Sequence, residues 1–211
     1  MKNKKIGIID FNLSNLESVK AACKYSKIDY KVINKKEDII KCHGLILPGV
    51  GTFGAAIKNL KKKKIFETLK IILQKKPTLA ICLGMQLLLD QSEESKGVKG
   101  FGIIKGKCKK FKKKFRVPHT GWNSVKIAKN DKIYQNIGKK SSFYFVHSYY
   151  VDILNKNIKT SFTTYENFKF ISSFNYKNIF ALQFHPEKSS DRGLTIYKNF
   201  KNFVNSYENT L

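Results

Sequence analysis

Two hundred and eleven residues, 42% of them hydrophobic and 13% aromatic, suffice for one α/β domain with a sizeable core and exclude a disordered or linker-dominated chain. The charge balance, 41 basic against 15 acidic residues for a net +26, raises nucleic acid or another anionic surface as a partner. Only Arg116 and Arg192 are arginine, the side chain that reads phosphates and bases bidentately, so specific nucleic-acid recognition is not expected and most lysines belong on solvated faces.

In chain order, Lys5 to Asp10 reads as a first strand. Its apolar stretch is too short for a secretory signal, and the longest apolar tract, Thr78 to Leu89, falls short of the ~20 residues a membrane span needs. A cytoplasmic chain with no membrane partner is expected. Ser14-Asn15-Leu16-Glu17 matches a capping box that opens a helix running to about Ser26. Tyr30 to Ile33 and Leu45 to Leu47 are further strands, the second ended by Pro48-Gly49-Val50-Gly51, and Ala55 to Leu73 reads as one helix. Thr78 to Ile81 is another buried strand, with a helix beginning near Gly84. Strands alternating with helices predict a parallel sheet covered by helices. The second half changes to short, aromatic, alternating segments, an antiparallel extension: Phe143 to Val151, and a hairpin Phe168 to Phe184 turning at Asn175 to Asn178. A last helix covers about Asp191 to Tyr207. Two basic runs, Lys61 to Lys64 on a helix and Lys105 to Arg116 interleaved with Phe111 and Phe115, are candidate docking surfaces for an acidic partner. The four cysteines form no C-x-x-C pair, so neither a disulfide frame nor a metal site is expected, and nothing calls for a cofactor.

The chemistry concentrates at two points. Ala80-Ile81-Cys82-Leu83-Gly84 places a cysteine between a buried strand and a helix, flanked by small residues at two positions either side. This is the pattern of a nucleophile elbow, whose sharp turn lifts the sulfur out of the sheet where a helix N-terminus favours thiolate. An inert core cysteine is the competing reading for Cys82 alone. Gln183-Phe184-His185-Pro186-Glu187 shifts the balance: His185 sits at a strand end as a candidate base, with Glu187 to fix its tautomer and orientation. His43 and His119 are read as structural.

Beyond these two points, the segments Asn15-Leu16-Glu17-Ser18-Val19, Pro48-Gly49-Val50-Gly51, Ile81 to Leu88, Ser92-Glu93-Glu94, Pro118-His119-Thr120-Gly121-Trp122-Asn123, Phe145 to Tyr150 and Phe184 to Ser189 follow one another along nearly the whole chain. In that order they resemble the triad-type class I glutamine amidotransferases, and among them the glutaminase subunits of imidazole glycerol phosphate synthase. The resemblance implies a three-layer, flavodoxin-like α/β fold over residues 1–211 as a single domain, with a mostly parallel central sheet, an antiparallel extension and the elbow. It implies Cys82, His185 and Glu187 as a catalytic triad acting on L-glutamine. It implies an oxyanion site at Leu83 and the Gly49-Val50-Gly51 strand, whose glycines permit a peptide flip. Gln86, Glu94 and the backbone of His147, Ser148 and Tyr149 would hold the glutamine, while Asn15, Trp122 and Lys188 would lie at a subunit interface or ammonia passage. The implied partner is a (β/α)8-barrel cyclase subunit, forming a heterodimer, that receives the ammonia.

The family's glycine-rich D-Y-G-x-G-N turn is here Asp10-Phe11-Asn12-Leu13-Ser14-Asn15, which puts the weight of any difference on the partner, and Ala80 replaces a common Gly. Three other readings stand beside this one: a related glutaminase feeding ammonia to a sugar amidotransferase of surface-glycan synthesis, a catalytically silent binding subunit, and a basic nucleic-acid-binding module.

Overall fold

The computed structural model describes residues 4–12 and 16–208, so Ser14 of the expected capping box, and Asn15, lie outside the described residues. The first half runs β1 (Ile6–Ile9), α1 (Leu16–Tyr25), β2 (Tyr30–Ile33), α2 (Lys36–Lys41), β3 (Gly44–Leu47), α3 (Phe53–Lys62), α4 (Phe66–Ile72), β4 (Thr78–Ile81) and α5 (Leu83–Leu87). The second half is β5 (Leu89–Ser92), β6 (Ile104–Lys110), β7 (His119–Lys126), β8 (Lys140–His147), β9 (Tyr149–Ile153), β10 (Lys159–Tyr165), β11 (Phe168–Tyr176), β12 (Ile179–Leu182) and the long α6 (Ser190–Ser206).

The main path of the sheet is β2-β1-β3-β4-β12-β11-β10-β7-β8. From β2 to β12 all neighbours are parallel, and from β12 to β8 all are antiparallel. A second arm leaves this path where β9 pairs with β11 at Ile171↔Val151 and continues through β6 to β5.

β1, β3, β4 and β12 are buried along their whole length, which is why their sequences are nearly continuous apolar runs. Their side chains alternate between two cores. Ile46, Leu79, Ile81 and Leu182 pack with Val19 and Ala22 of α1 and with Ile196 and Phe200 of α6. Leu45, Leu47, Ala80 and Ala181 pack with Phe53 and Leu60 of α3, Leu69 of α4 and Met85 of α5. The result is three layers, helix on sheet on helix.

Two sequence expectations need correction. The single helix over 55–73 is two helices. The Lys64 N–H bonds the Lys61 carbonyl, the Ile65 N–H bonds the Leu60 carbonyl at 3.1 Å, and Lys64 adopts φ +56°. That is a Schellman stop closed by contact between buried Leu60 and Ile65, with lysine at the left-handed position where glycine is the usual signal. α1 ends the same way at Lys27, φ +53°. The strand expected over 143–151 breaks at Ser148, because β8 pairs with β7 while β9 belongs to the other arm. The two basic runs keep most of their lysines exposed, while the aromatic residues between them turn inward. Phe111 and Phe115 are buried, with Phe111 inside a ring of His147, Tyr150, Phe168 and Phe170. Lys63 points its ammonium at the Asp10 carbonyl (2.7 Å) and carboxylate (3.3 Å), tying α3 to the turn after β1.

In that turn Asn12 has φ +58° and its N–H is held by the Asp10 carboxylate at 2.8 Å. Asparagine tolerates the left-handed region better than most side chains, so position 12 takes up this conformation without a glycine.

Candidate active site

β3, β4 and β12 lie side by side in parallel, with Leu47 opposite Ala80 and Ile81 opposite Leu182. The segments that follow them, Pro48 to Gly51, Cys82 and Gln183 to His185, therefore emerge together at the carboxyl edge of the sheet, where open α/β sheets bind ligands. Cys82 has φ +49° and ψ −106°, and its N–H is anchored on the Leu182 carbonyl at 2.7 Å. A Cβ on Gly84 would run into the Leu47 carbonyl oxygen, and one on Gly49 into the Leu83 side chain. Both glycines are required by backbones in direct contact, the packing that creates an elbow.

His185 follows β12 and is 1% exposed. Its backbone is pinned on both sides: its N–H bonds the Tyr144 carbonyl (2.8 Å), and Ser189 Oγ donates to its carbonyl (2.6 Å). The ring nitrogen Nδ1 lies 2.7 Å from Glu187 Oε1, so the carboxylate fixes that nitrogen as the protonated one. Nε2 is buried without a hydrogen bond of ordinary geometry. Burial alone would push the imidazole pKa down, but the Cys82 sulfur and the Glu187 carboxylate outweigh it and raise the pKa to about 10. The arrangement favours an imidazolium facing the sulfur and backed by a carboxylate.

In front of the sulfur is a cavity of about 290 Å³ lined by Gly49, Val50, Gly51, Cys82, Leu83, Gln86, Glu94, Pro118, Val146, His147, Ser148 and Tyr149. Its volume suits a small metabolite. Every sequence-derived oxyanion and glutamine-contact residue lines it, while His185 and Glu187 are not part of the lining. Glu94 has a second duty the sequence did not signal. Its Oε2 accepts the Phe53 N–H at 2.6 Å, and Ser95 Oγ accepts the Gly54 N–H at 2.9 Å, so the first turn of α3 is capped from the Glu94 loop. Trp122, 54% exposed, lies outside the cavity, edge-on to Tyr144 (6.3 Å between centroids), and the Lys188 ammonium lies 5.9 Å from the same ring. These two interface candidates thus meet on one aromatic side chain.

Beneath the cavity wall His119 Nδ1 and His147 Nε2 are 3.0 Å apart, and His147 Nδ1 is 2.8 Å from the Tyr149 carbonyl. Burial lowers both, His119 to about 4 and His147 to about 3. Both are neutral in the fold at pH 7, whereas the unfolded chain takes up protons below about pH 6.5. Their contribution to stability is complete above pH 6.5 and is lost as pH falls through 4 towards 3. Urea denaturation is expected to show an acid limb worth on the order of a few kcal/mol over that window. The limb is shallower in His119→Gln; an identical limb in the variant rejects this assignment.

A model of the family described as glutamine amidotransferase class-I matches residues 7–203. The chain is 48% identical over 197 residues to imidazole glycerol phosphate synthase subunit HisH of Methanocaldococcus jannaschii, covering 92% of this chain and 97% of that one. It is 46% identical over 200 residues to the HisH subunit of Pyrococcus furiosus, covering 93% and 98%. Among solved structures, PurLQS from Thermotoga maritima superposes with a TM-score of 0.73 at 16% identity, covering 96% of this chain and 99% of that one, a likeness of fold. Elbow, fold and near-full-length identity agree: the chain belongs to the class-I glutamine amidotransferase family.

Proposed function

We propose that the chain, as one glutaminase domain, is the glutamine-hydrolysing subunit of an imidazole glycerol phosphate synthase. The observation that carries the reading is a small cavity lined by Cys82, with buried His185 bonded to Glu187 and under the electrostatic influence of the Cys82 sulfur. The relatives' names supply the pathway.

The Cys82 thiolate attacks the carboxamide carbon of L-glutamine, and the carbonyl oxygen takes the negative charge. The Leu83 N–H and an amide of the Gly49-Val50-Gly51 strand meet that charge, a contribution for which one donor is typically worth about a hundredfold or more. His185 gives its proton to the departing nitrogen, which leaves as ammonia. A water then loses a proton to His185 and cleaves the glutamyl thioester, releasing glutamate and restoring the thiol. Gln86 spends both amide hydrogens on the Tyr149 carbonyl (3.2 Å) and Gln183 (3.3 Å), which leaves its Oε1 as the acceptor for the substrate. Glu94 supplies a carboxylate for the α-ammonium. Ammonia in open water is lost to protonation, so the site needs an acceptor subunit sealed over it, the (β/α)8-barrel cyclase that converts PRFAR to imidazole glycerol phosphate and AICAR. Trp122, Tyr144 and Lys188 form a patch for that contact, and the net charge of +26 favours an acidic barrel rim, with association slowing as salt rises.

The test is to mix the subunit with the cyclase and follow glutamate release with and without PRFAR. Expected is turnover that depends on the cyclase and rises with PRFAR; release indifferent to both overturns the assignment.

A further inference from the structure

Gln183 is 0% exposed and sits between the end of β12 and His185, with its backbone N–H on the Ser172 carbonyl at 2.8 Å. Its side chain is aimed at the reacting sulfur: Nε2 lies 3.6 Å from Cys82 Sγ. A buried carboxamide can present either an N–H or a carbonyl oxygen, and the two have opposite effects on a thiolate, so the question is what sets its orientation.

A chain of hydrogen bonds sets it, and the polarity of each link is forced. The Asn123 amino group, also bonded to the Thr164 carbonyl (3.1 Å), lies 3.2 Å from His119 Nε2, which must accept. His119 Nδ1–H therefore donates to His147 Nε2, and His147 Nδ1–H donates to the Tyr149 carbonyl, a group that can only accept. Gln86 also meets that carbonyl, so it must present its amino group there, and its second N–H then donates to Gln183 Oε1. With Oε1 fixed on Gln86, Gln183 has only its amino group left for the sulfur. Turning Gln183 over would set two amino groups against each other and point a carbonyl at a thiolate.

We propose that Gln183 is a further catalytic residue of this site, donating an N–H to the Cys82 sulfur, with Gln86, itself oriented by the Tyr149 carbonyl, as the positioning residue that locks its amide in the donating orientation. The inference rests on Cys82 being the nucleophile. The other protein groups around the sulfur do not make this donor redundant. The Val146 carbonyl, 3.9 Å away, can accept the thiol proton but repels the thiolate, and His185 must give up its charge during the reaction. Gln183 is a neutral donor that stays in place through both half-reactions.

The experiment reads thiolate formation directly, as the pH dependence of iodoacetamide alkylation in the assembled enzyme, with the modified cysteine located by mass spectrometry. In the wild-type protein Cys82, buried like the other three cysteines but lining the cavity, is expected to react ahead of Cys23, Cys42 and Cys108. Failure of that result overturns the nucleophile reading itself and this inference with it. In Gln183→Leu the acid limb of the Cys82 profile is expected to move up by about one pH unit, and kcat for glutamine to fall tenfold or more with KM within about twofold. Gln86→Met, which removes the group that orients Gln183, moves the acid limb in the same direction and decides the question if Gln183→Leu does not fold. Selective wild-type alkylation together with an unshifted profile in a folded variant overturns the role of Gln183 while leaving Cys82 in place.

Discussion

Cys82→Ala is expected to lower glutamine turnover by the complete synthase by at least about four orders of magnitude, because nucleophile, proton relay and thioester form one unit and removing the sulfur removes all three. The substitution deletes one atom and leaves a side chain that the elbow at φ +49° accommodates as it does cysteine. Folding and subunit assembly are therefore expected to be unchanged. The same complex supplied with an ammonium salt at high pH bypasses the lost step and keeps its cyclase turnover. Glutamate release above about a tenth of the wild-type rate would mean that the chemistry lies elsewhere.

Gly193→Ala is expected to damage the site from a position that does not line the cavity. Gly193 lies in α6, where alanine would ordinarily be favoured by about 1 kcal/mol. Here an added Cβ would press into the Pro186 carbonyl oxygen, with the Pro186 carbonyl carbon at 2.7 Å and Ser189 Cβ at 3.0 Å. The obstacle is backbone, so no rotamer relieves it, and the turn Pro186–Lys188 that carries Glu187 has to move off α6. Overpacking of this kind costs about 3 kcal/mol, for a net destabilisation of about 2 kcal/mol. A shift of about 1 Å in the imidazole costs roughly a hundredfold in kcat. Urea denaturation and steady-state glutaminase rates check both numbers. A variant as stable and as fast as the wild type would show that the turn yields freely.

The elements that position the site are legible in the sequence for a common reason. β1, β3, β4 and β12 are buried on both faces and so spell themselves as short apolar runs, and the glycines at 49 and 84 mark where backbones touch. What stayed illegible follows from signals carried by unexpected residues. The stop between α3 and α4 uses Lys64 where glycine is usual, and α2 is a six-residue helix with no side-chain cap to announce it. The break at Ser148 has no local signature, because it is set by which arm each neighbouring strand joins. At the site, the sharp turn at Cys82 and the pairing of His185 with Glu187 are legible from spacing and chemistry. Gln183 is not, since a glutamine in an alternating strand reads as one more inward residue until its partners are known. His119, read as structural, is buried, and its bond to His147 reaches the cavity wall.

The forked sheet bears on how such a site can be controlled. Ser148 is the residue where the polypeptide steps from one prong to the other, and it is also part of the wall that faces the sulfur. Any force that spreads or squeezes the prongs, such as a protein leaning on Trp122 and Tyr144, must therefore pull on the lining of the reaction chamber itself. Mechanical load at the rim and the shape of the chamber are joined by a single covalent step.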